Sequence, residues 1–332
     1  MKEIVTLDHG SGGLRTSELI EQVLLPAYGN AALNELGDGA VLSDLGGRPV
    51  FSTDSFVVTP WRFPGGDIGK LAVCGTVNDV CMAGGEPKYL SLALILEEGF
   101  AMEDLRAIVA SAAETAKACG VQIVTGDTKV VERGHVDGIY INTAGIGVLR
   151  AEGLGRGAIQ PGDAVLVSGS VGCHGAAVMM ARGDIPCEGT LLSDCRPLHE
   201  LSRAALSAGG VRILRDPTRG GVATTLNEFV EHWPLCIELE EDAIPVDPAV
   251  AAACDLLGLD PLYAACEGRM LAVVDPAHAD AVLAALHALP GGEGAVQIGR
   301  VTTSRPGQVV LNAAFGSRIL GKLTGAQLPR IC

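Results

Sequence analysis

The last residue of the sequence, Cys332, has the side chain best suited to covalent chemistry. A thiolate is a nucleophile that can carry a transferable group, and a neighbouring cation such as Arg330 favours the thiolate form. The segment from residue 316 onward is rich in glycine and contains Pro329, which disfavours a packed element. Fully extended, this segment would reach on the order of 50 Å. The sequence therefore predicts a mobile tail that carries a sulfur-bound group to a distant pocket. The alternative is a frayed terminus.

Four aspartates stand where predicted strands or helices begin or end: Asp38, Asp54, Asp79 and Asp127. If they converge, their mutual repulsion requires a cation, and oxygen ligands suit Mg²⁺ bridging to nucleotide phosphates. Lys129 is a candidate to contact a phosphate or a reacting oxygen. The alternatives are a turn or cap role for each aspartate and a solvated lysine.

Two glycine-rich turns precede predicted helices. Residues 9–13 (His-Gly-Ser-Gly-Gly) form either a phosphate-binding concavity or a plain flexible loop. In the second turn, residues 216–221, Thr218 and Arg219 either contact phosphate or cap the next helix. No Walker A motif is present, so a nucleotide must bind by another architecture.

The composition excludes several classes of protein. A length of 332 residues predicts two domains, and a net charge of −15 argues against binding nucleic acid. The ten cysteines show no zinc-like spacing, and we expect His9 and His174 to be loop residues and not metal ligands. Without a signal peptide or a long apolar run, the sequence predicts a cytoplasmic protein that does not span a membrane.

The order of apolar patterns predicts an α+β fold and not a regular doubly wound sheet. Helices are predicted over residues 16–28, 68–82, 103–119, 176–182, 198–208, 222–231, 248–257 and 277–289, and strands over residues 50–55, 89–96, 121–125, 139–149, 164–168, 270–274 and 296–301. Asp67 is the predicted N-cap of the helix that ends near Met82. A break at residues 150–163 predicts domains over 1–155 and 156–315, followed by a tail over 316–332.

An ordered set of motifs across essentially the whole chain resembles the HypE family of hydrogenase maturation proteins, which are carbamoyl dehydratases. The motifs are Gly10-Ser-Gly-Gly13, Asp38-Gly-Ala40, Thr53-Asp54-Ser55, Asn78-Asp79, Gly126-Asp127-Thr128-Lys129, Asp216-Pro-Thr-Arg-Gly-Gly221 and Pro329-Arg330-Ile331-Cys332. Most of them are shared with the wider superfamily related to aminoimidazole ribonucleotide synthetase, which includes selenide water dikinase and thiamine monophosphate kinase. The closing Pro-Arg-Ile-Cys is the specific part.

The resemblance implies two α+β domains of the aminoimidazole ribonucleotide synthetase type, with N-terminal strands forming the interface of a homodimer. It implies that Cys332 receives a carbamoyl group from the carbamoyltransferase HypF. ATP and Mg²⁺ would then convert the group to a thiocyanate by phosphorylating its oxygen. The cyano group would pass to iron on a HypC–HypD complex, which serves [NiFe]-hydrogenase.

The same resemblance assigns site residues. Asp79, Lys129 and Glu267 are candidates for proton handling and oxyanion stabilisation, and which of them is the general base is left open. The residues expected to bind the nucleotide are Gly12, Gly13, Asp38, Asp54, Asn78, Asp127, Thr128, Thr218 and Arg219. The residues expected to bind Mg²⁺ are Asp38, Asp54, Asp79 and Asp127.

Two other functions are weighed. A small-molecule kinase of the same superfamily would have no use for Cys332. A non-catalytic carrier of a thiol-bound group would need neither the aspartates nor Lys129. ATP consumption and modification of Cys332 together separate the three hypotheses.

Overall fold

The computed structural model describes residues 3–37, 39–183, 191–323, 325 and 330–332. The α-helices are α1 (Leu14–Leu19), α2 (Leu25–Tyr28), α3 (Ile68–Met82), α4 (Met102–Ala118), α5 (Cys173–Arg182), α6 (His199–Ala208), α7 (Gly221–Val230), α8 (Pro248–Leu257) and α9 (Ala279–His287). The strands are β1 (Pro49–Phe56), β2 (Arg62–Phe63), β3 (Gly66–Asp67), β4 (Gly85–Glu97), β5 (Gln122–Val131), β6 (Ile139–Leu149), β7 (Ala164–Val167), β8 (Val211–Arg215), β9 (Cys236–Glu240), β10 (Leu271–Val274), β11 (Val296–Thr302), β12 (Val309–Ala313) and β13 (Gly316–Leu320).

Short 3₁₀ segments lie at Leu7–Gly10, Leu33–Glu35, Arg156–Ala158, Glu241–Ala243 and Pro261–Tyr263, and a π-helical turn at Ile20–Leu24 joins α1 to α2.

The first sheet has the strand order β1-β6-β4-β5, in which β4 and β5 run parallel and the other neighbours are antiparallel. Residues in β4 and β6 alternate between buried and partly exposed positions. Leu90, Leu92 and Leu94 belong to the buried set, which faces the core. Such alternation is typical of a sheet that is covered on one face only.

Helix α3 covers the buried face of this sheet and is itself buried on nearly every side. The Asp67 carboxylate accepts hydrogen bonds from the amides of Gly69 and Lys70, at 2.8 and 3.0 Å, and so caps the helix as predicted. Gly75 allows close contact with the sheet, since a Cβ at this position would lie 2.8 Å from the Phe56 ring. The helix therefore holds residues 78 and 79 at a fixed position between the two halves of the chain.

The second sheet has the strand order β13-β12-β9-β11-β7-β10-β8. Strands β7 and β10 are buried along their whole length, and α7 packs against β9 and β12. Both halves thus combine helices with largely antiparallel strands, which confirms the predicted α+β fold.

Most predicted elements are confirmed, including α3, β6 and α8. The predictions omitted β8, β9, β12 and β13. Each has five residues and includes polar ones, whereas the four-residue strands β7 and β10 were predicted because they are uninterrupted apolar runs.

The prediction that the mobile tail begins at residue 316 is wrong for its first five residues. Gly316–Leu320 pairs with β12 in antiparallel register and forms an edge of the second sheet. Within the described part of the chain, no helix combines the length and apolar character needed to cross a membrane.

Candidate active site

Two of the predicted aspartates lie side by side between β1 and α3. The Asp54 carboxylate lies close to α3 at Gly75, since a Cβ added to this glycine would lie 3.9 Å from Asp54 Oδ2. Gly75 is one helical turn before Asp79. The Ser52 hydroxyl donates to Asp79 Oδ2 at 2.8 Å. Burial raises the pKa of both carboxyl groups, and the Asp54 charge adds to the increase at Asp79. The pair is therefore a focus of negative charge that a cation would stabilise.

A third aspartate, Asp216, joins this pair from the end of β8 and was not among the predicted site residues. It is buried, and burial, followed by the charge of Asp79, raises its pKa to about 7. The signal in the sequence was an acidic residue directly before a glycine-rich turn. The strand that positions it, β8, was not predicted.

The turn after Asp216 leads into α7. Gly220 and Gly221 have φ values of 74° and 60°, which favour glycine. Gly220 is the N-cap residue of α7, and no side chain provides a capping hydrogen bond, so the prediction that Thr218 or Arg219 caps the helix is wrong. Thr218 is half-buried and Arg219 is exposed. The Arg219 charge acts on Asp54, Asp79 and Cys332, which places this cation at the acidic site.

The raised pKa of Asp216 predicts a pH-dependent stability. The folded state binds the proton of the Asp216 carboxyl group more tightly than the unfolded state does. This proton's contribution to the free energy of unfolding is fully present below about pH 4 and is lost as the pH rises through about 7. We expect Asp216→Asn to raise the thermal midpoint relative to wild type at pH 8, and the difference to shrink towards pH 5. Thermal unfolding at a series of pH values measures this. A difference that does not change with pH would contradict it.

Glu267 and Cys332 are close enough for the charge of the carboxyl group to act on the thiol. Glu267 is 2% exposed, and its Oε1 atom has no hydrogen-bond partner among the described residues. Burial is the main cause of a pKa well above the usual range of a glutamate. Burial, followed by the Glu267 charge, raises the pKa of the Cys332 thiol to about 12. A buried carboxyl group with one unpartnered oxygen among the described residues thus lies near enough to the thiol to raise its pKa.

The expected effect of Arg330 on this thiol is wrong. The Arg330 guanidinium contacts Asp137 at 3.1 Å and lies over the Tyr140 ring, 5.7 Å from its centroid. The cation that lowers the Cys332 pKa is Arg219, and its effect is smaller than that of burial. In this position the sulfur is held mainly as a thiol.

The described end of the tail is docked against the same chain. The amide of Val57 donates to the Cys332 carbonyl at 3.1 Å, and the amide of Thr59 donates to the Arg330 carbonyl at 3.2 Å. Ile331 between them is buried. The expectation that His174 is a loop residue is wrong, since it lies buried in the first turn of α5, next to this tail.

A cavity of about 490 Å³ lies between β5 and the N-terminal helices. Gly12, Asp127, Thr128 and Lys129 line it, and Gly13 follows as the N-cap of α1. Lys129 pairs with Asp127 at 2.8 Å and thereby lowers the Asp127 pKa. Leu92, Leu94 and Ile123 contribute apolar surface. This combination of apolar walls with a few charged groups is typical of a small-molecule site.

Asp127 does not converge with Asp54 and Asp79 within one chain. Pairing across the first sheet puts Asp54 level with Gly126, three strands away or about 14 Å. Asp127 is one residue further along, and therefore projects from the opposite face. No three His, Cys, Asp or Glu side chains in the described ranges are grouped to hold a metal ion. The prediction of a four-aspartate Mg²⁺ site is wrong in this respect, and Asp38 lies outside the described residues.

Asn78 was predicted to contact the nucleotide, but it joins the two halves of the chain. Its side chain is fully buried and donates to the carbonyls of Arg196 and Glu267, at 3.2 and 3.4 Å. It also accepts a hydrogen bond from the Leu198 amide at 2.7 Å. Asn78 does not line the cavity beside β5. It instead connects α3 to the backbone of Arg196, Leu198 and Glu267 in the second half of the chain.

Comparisons with known proteins agree with this fold. The models of the AIR synthase related protein N-terminal and C-terminal domains match residues 36–149 and 160–312. The chain is 49% identical to the carbamoyl dehydratase HypE of Rhizobium leguminosarum bv. viciae, over 99% of this chain and 95% of the relative. A crystal structure of hydrogenase maturation protein HypE in complex with ATP has a TM-score of 0.94 and 45% identity, covering 98% of this chain and 99% of that one. HypE from a HypE–HypF complex has a TM-score of 0.80 and 45% identity, covering 92% and 99%.

Proposed function

Because the chain belongs to the HypE family of carbamoyl dehydratases, we propose that its Cys332 carries the substrate, an S-carbamoyl group that is dehydrated to a thiocyanate with consumption of ATP. The observation that carries the assignment of the reacting residues is the unpartnered, buried Glu267 beside the Cys332 thiol. Neither a small-molecule kinase nor a passive carrier would need a desolvated carboxyl group next to this sulfur.

The reaction needs an activated oxygen and a base. The oxygen of an S-carbamoyl group is a poor leaving group, and phosphorylation by ATP converts it to phosphate, which leaves readily. Two protons must leave the nitrogen before the C≡N bond is complete. Glu267 is our candidate base, since burial makes its carboxylate a stronger base than an exposed one. Of the three candidates, we therefore propose Glu267 as the residue that takes the proton.

Asp79 and Lys129 take other roles in this proposal. Asp79 forms the acidic pair with Asp54, next to the reacting group. Lys129 lines the cavity on β5 and is suited to contact nucleotide phosphate. Arg219 reaches the acidic site from the turn before α7 and is suited to stabilise charge on the transferred phosphoryl group.

The acidic pair also fits Mg²⁺. Magnesium is commonly held by one or two carboxylates together with substrate phosphates, and Asp54 and Asp79 provide two that repel each other without a cation. Bound there, the ion would neutralise phosphate charge. The proposal replaces the four-aspartate site with this pair.

Three protein partners follow from the family assignment. We propose HypF as the source of the carbamoyl group, supported by the HypE–HypF complex among similar structures. We propose a HypC–HypD complex as the acceptor of the cyano group. A second copy of the chain fits the uncovered face of the first sheet, where Phe51 is 66% exposed and Ile95, Ile146 and Tyr89 share its face.

The mass of the intact protein tests the proposed function. The protein is incubated with ATP, Mg²⁺, carbamoyl phosphate and HypF, and samples are taken over time. Gain of one carbamoyl group at Cys332, followed by loss of one water with ATP hydrolysis, would support the dehydratase. Consumption of ATP with an unmodified Cys332 would favour a small-molecule kinase. A stable carbamoyl adduct without ATP consumption would favour a carrier.

Lys129→Ala is expected to weaken ATP binding about ten- to hundredfold, because a charged hydrogen-bond donor at the cavity is lost. Lys88→Ala is the matched control, since Lys88 also pairs with a neighbouring carboxylate, Glu86, at 2.5 Å but lies outside this cavity. Calorimetric titration with ATP measures both. Equal affinities of the two variants would remove Lys129 from the nucleotide site.

A further inference from the structure

A short chain of hydrogen bonds connects the docked tail to the interior of the second half. His174 Nε2 lies 2.5 Å from the Ile331 carbonyl oxygen, and His174 Nδ1 lies 2.8 Å from the Ser193 hydroxyl. The Ser193 hydroxyl oxygen also accepts the amide of Cys195 at 3.0 Å. His174 is fully buried, with its ring edge-on to Phe63 at a centroid distance of 5.2 Å.

The partners determine the direction of each bond. A carbonyl oxygen only accepts, so the hydrogen of the neutral imidazole must be on Nε2. Nδ1 is then an acceptor, and the Ser193 hydroxyl donates to it. The series of hydrogen bonds runs from the Cys195 amide through Ser193 and His174 to Ile331. Each group donates a hydrogen to the next group, which accepts it. Burial, which lowers the pKa of His174, favours this neutral form.

The same segment also holds Glu267. Asp194, the residue after Ser193, accepts the Glu267 amide on Oδ1 at 3.2 Å. Ser193 itself is anchored by donation of its amide to the Pro64 carbonyl at 2.8 Å. Ser193 and Asp194 are adjacent in sequence. Ser193 is connected through His174 to Ile331, the residue before Cys332, and Asp194 holds the backbone of Glu267. The positions of thiol and carboxyl group are linked through Ser193 and Asp194.

We propose that His174, oriented by Ser193, positions the tail together with the backbone bonds from Val57 and Thr59, by donating Nε2–H to the Ile331 carbonyl and so holding Cys332 near Glu267. His174 is a positioning residue, since it contacts the tail backbone and not the reacting atoms. The proposal rests on the proposed function for its significance in catalysis, but docking itself can be measured without turnover.

Two substitutions separate the two bonds of the imidazole. In His174→Gln, the side-chain amide reaches the place of Nε2 and can still donate to Ile331. In His174→Asn, the shorter amide reaches only the place of Nδ1, so the bond to Ser193 survives and the bond to Ile331 is lost. A role in packing alone would make both variants behave alike. Thermal midpoints and ATP affinity show whether each variant is folded.

The measurement is the rate at which Cys332 of the full chain reacts with a maleimide, taken as the difference from the same variant carrying Cys332→Ala. We expect His174→Asn to react about tenfold faster than wild type, and His174→Gln to stay within about twofold. Dehydration of the carbamoylated protein should slow about tenfold in His174→Asn alone. ATP affinity should not change, since His174 does not line the cavity beside β5.

Equal acceleration in both variants would overturn the proposal, because it would mean that the ring acts through its volume. An unchanged rate in His174→Asn would overturn it as well. If wild type lacked dehydratase activity, the proposed function would fail, while the contrast in labelling between the variants would still decide how the tail docks.

Discussion

Glu267→Gln is expected to lower the rate of dehydration of S-carbamoyl-Cys332 by about 10²- to 10⁴-fold, the range typical of a lost general base. Glutamine keeps the size of the side chain and removes its ability to accept a proton from the nitrogen. Glu267 is buried, and its Oε1 has no hydrogen-bond partner among the described residues. No described side chain bonded to Oε1 could therefore accept the proton in its place. The carbamoyl adduct should therefore form and persist.

Mass measurements of the intact protein over time record the carbamoyl adduct and the loss of water separately. Glu103→Gln on the exposed side of α4 is a control for the substitution itself. The pH profile adds a second readout. Wild-type dehydration should accelerate as the pH rises through the raised pKa of Glu267, since the base works deprotonated. The profile of the Gln variant should lack this rise. Wild-type turnover in Glu267→Gln would transfer the role of base to another group.

Cys332→Ala is expected to abolish the covalent product completely, because the substitution removes the thiol that carries the carbamoyl group in the proposed function. ATP affinity should stay within about twofold of wild type, since Cys332 does not line the cavity that contains Lys129. Mass spectrometry measures the first effect and calorimetric titration the second. Together they separate loss of the carrier from loss of the nucleotide site.

Cys254→Ala is the matched control for this experiment. Cys254 is a buried thiol of α8, and burial raises its pKa to about 11, so it should be inert. Carbamoylation should proceed in this variant as in wild type. Modification of the Cys332→Ala variant, or a large loss of its ATP affinity, would contradict the separation of carrier and nucleotide site.

Local chemistry in the sequence was enough to predict the elements that carry the site. The Asp67 cap and the apolar residues after it predicted α3 to within a residue, because a cap and a buried helix leave strong local signals. The missed strands β8, β9, β12 and β13 are short, and they are recognised as strands only by their neighbours in the sheet. Residues 316–320 were assigned to a mobile tail for the same reason.

The arrangement of charges was harder to predict. Asp54 lies in β1 and Asp127 in β5, and nothing local shows that the register across β6 and β4 turns them to opposite faces. Asn78 and Asp79 are adjacent in sequence. Asn78 forms hydrogen bonds with backbone groups of the second half of the chain, whereas Asp79 faces the acidic site. Helical geometry separates their directions by about 100°.

The sequence by itself determined the α+β class and the family, because residue types, periodicity and ordered motifs are local properties. The tertiary structure alone decided that Asp216 joins Asp54 and Asp79, that Glu267 lies beside Cys332, and that His174 contacts the tail. These relations depend on sheet register and on contacts between residues far apart in sequence, such as His174 and Ile331, which are 157 positions apart. Burial, which sets the proton affinity of the site, likewise exists only in the folded chain.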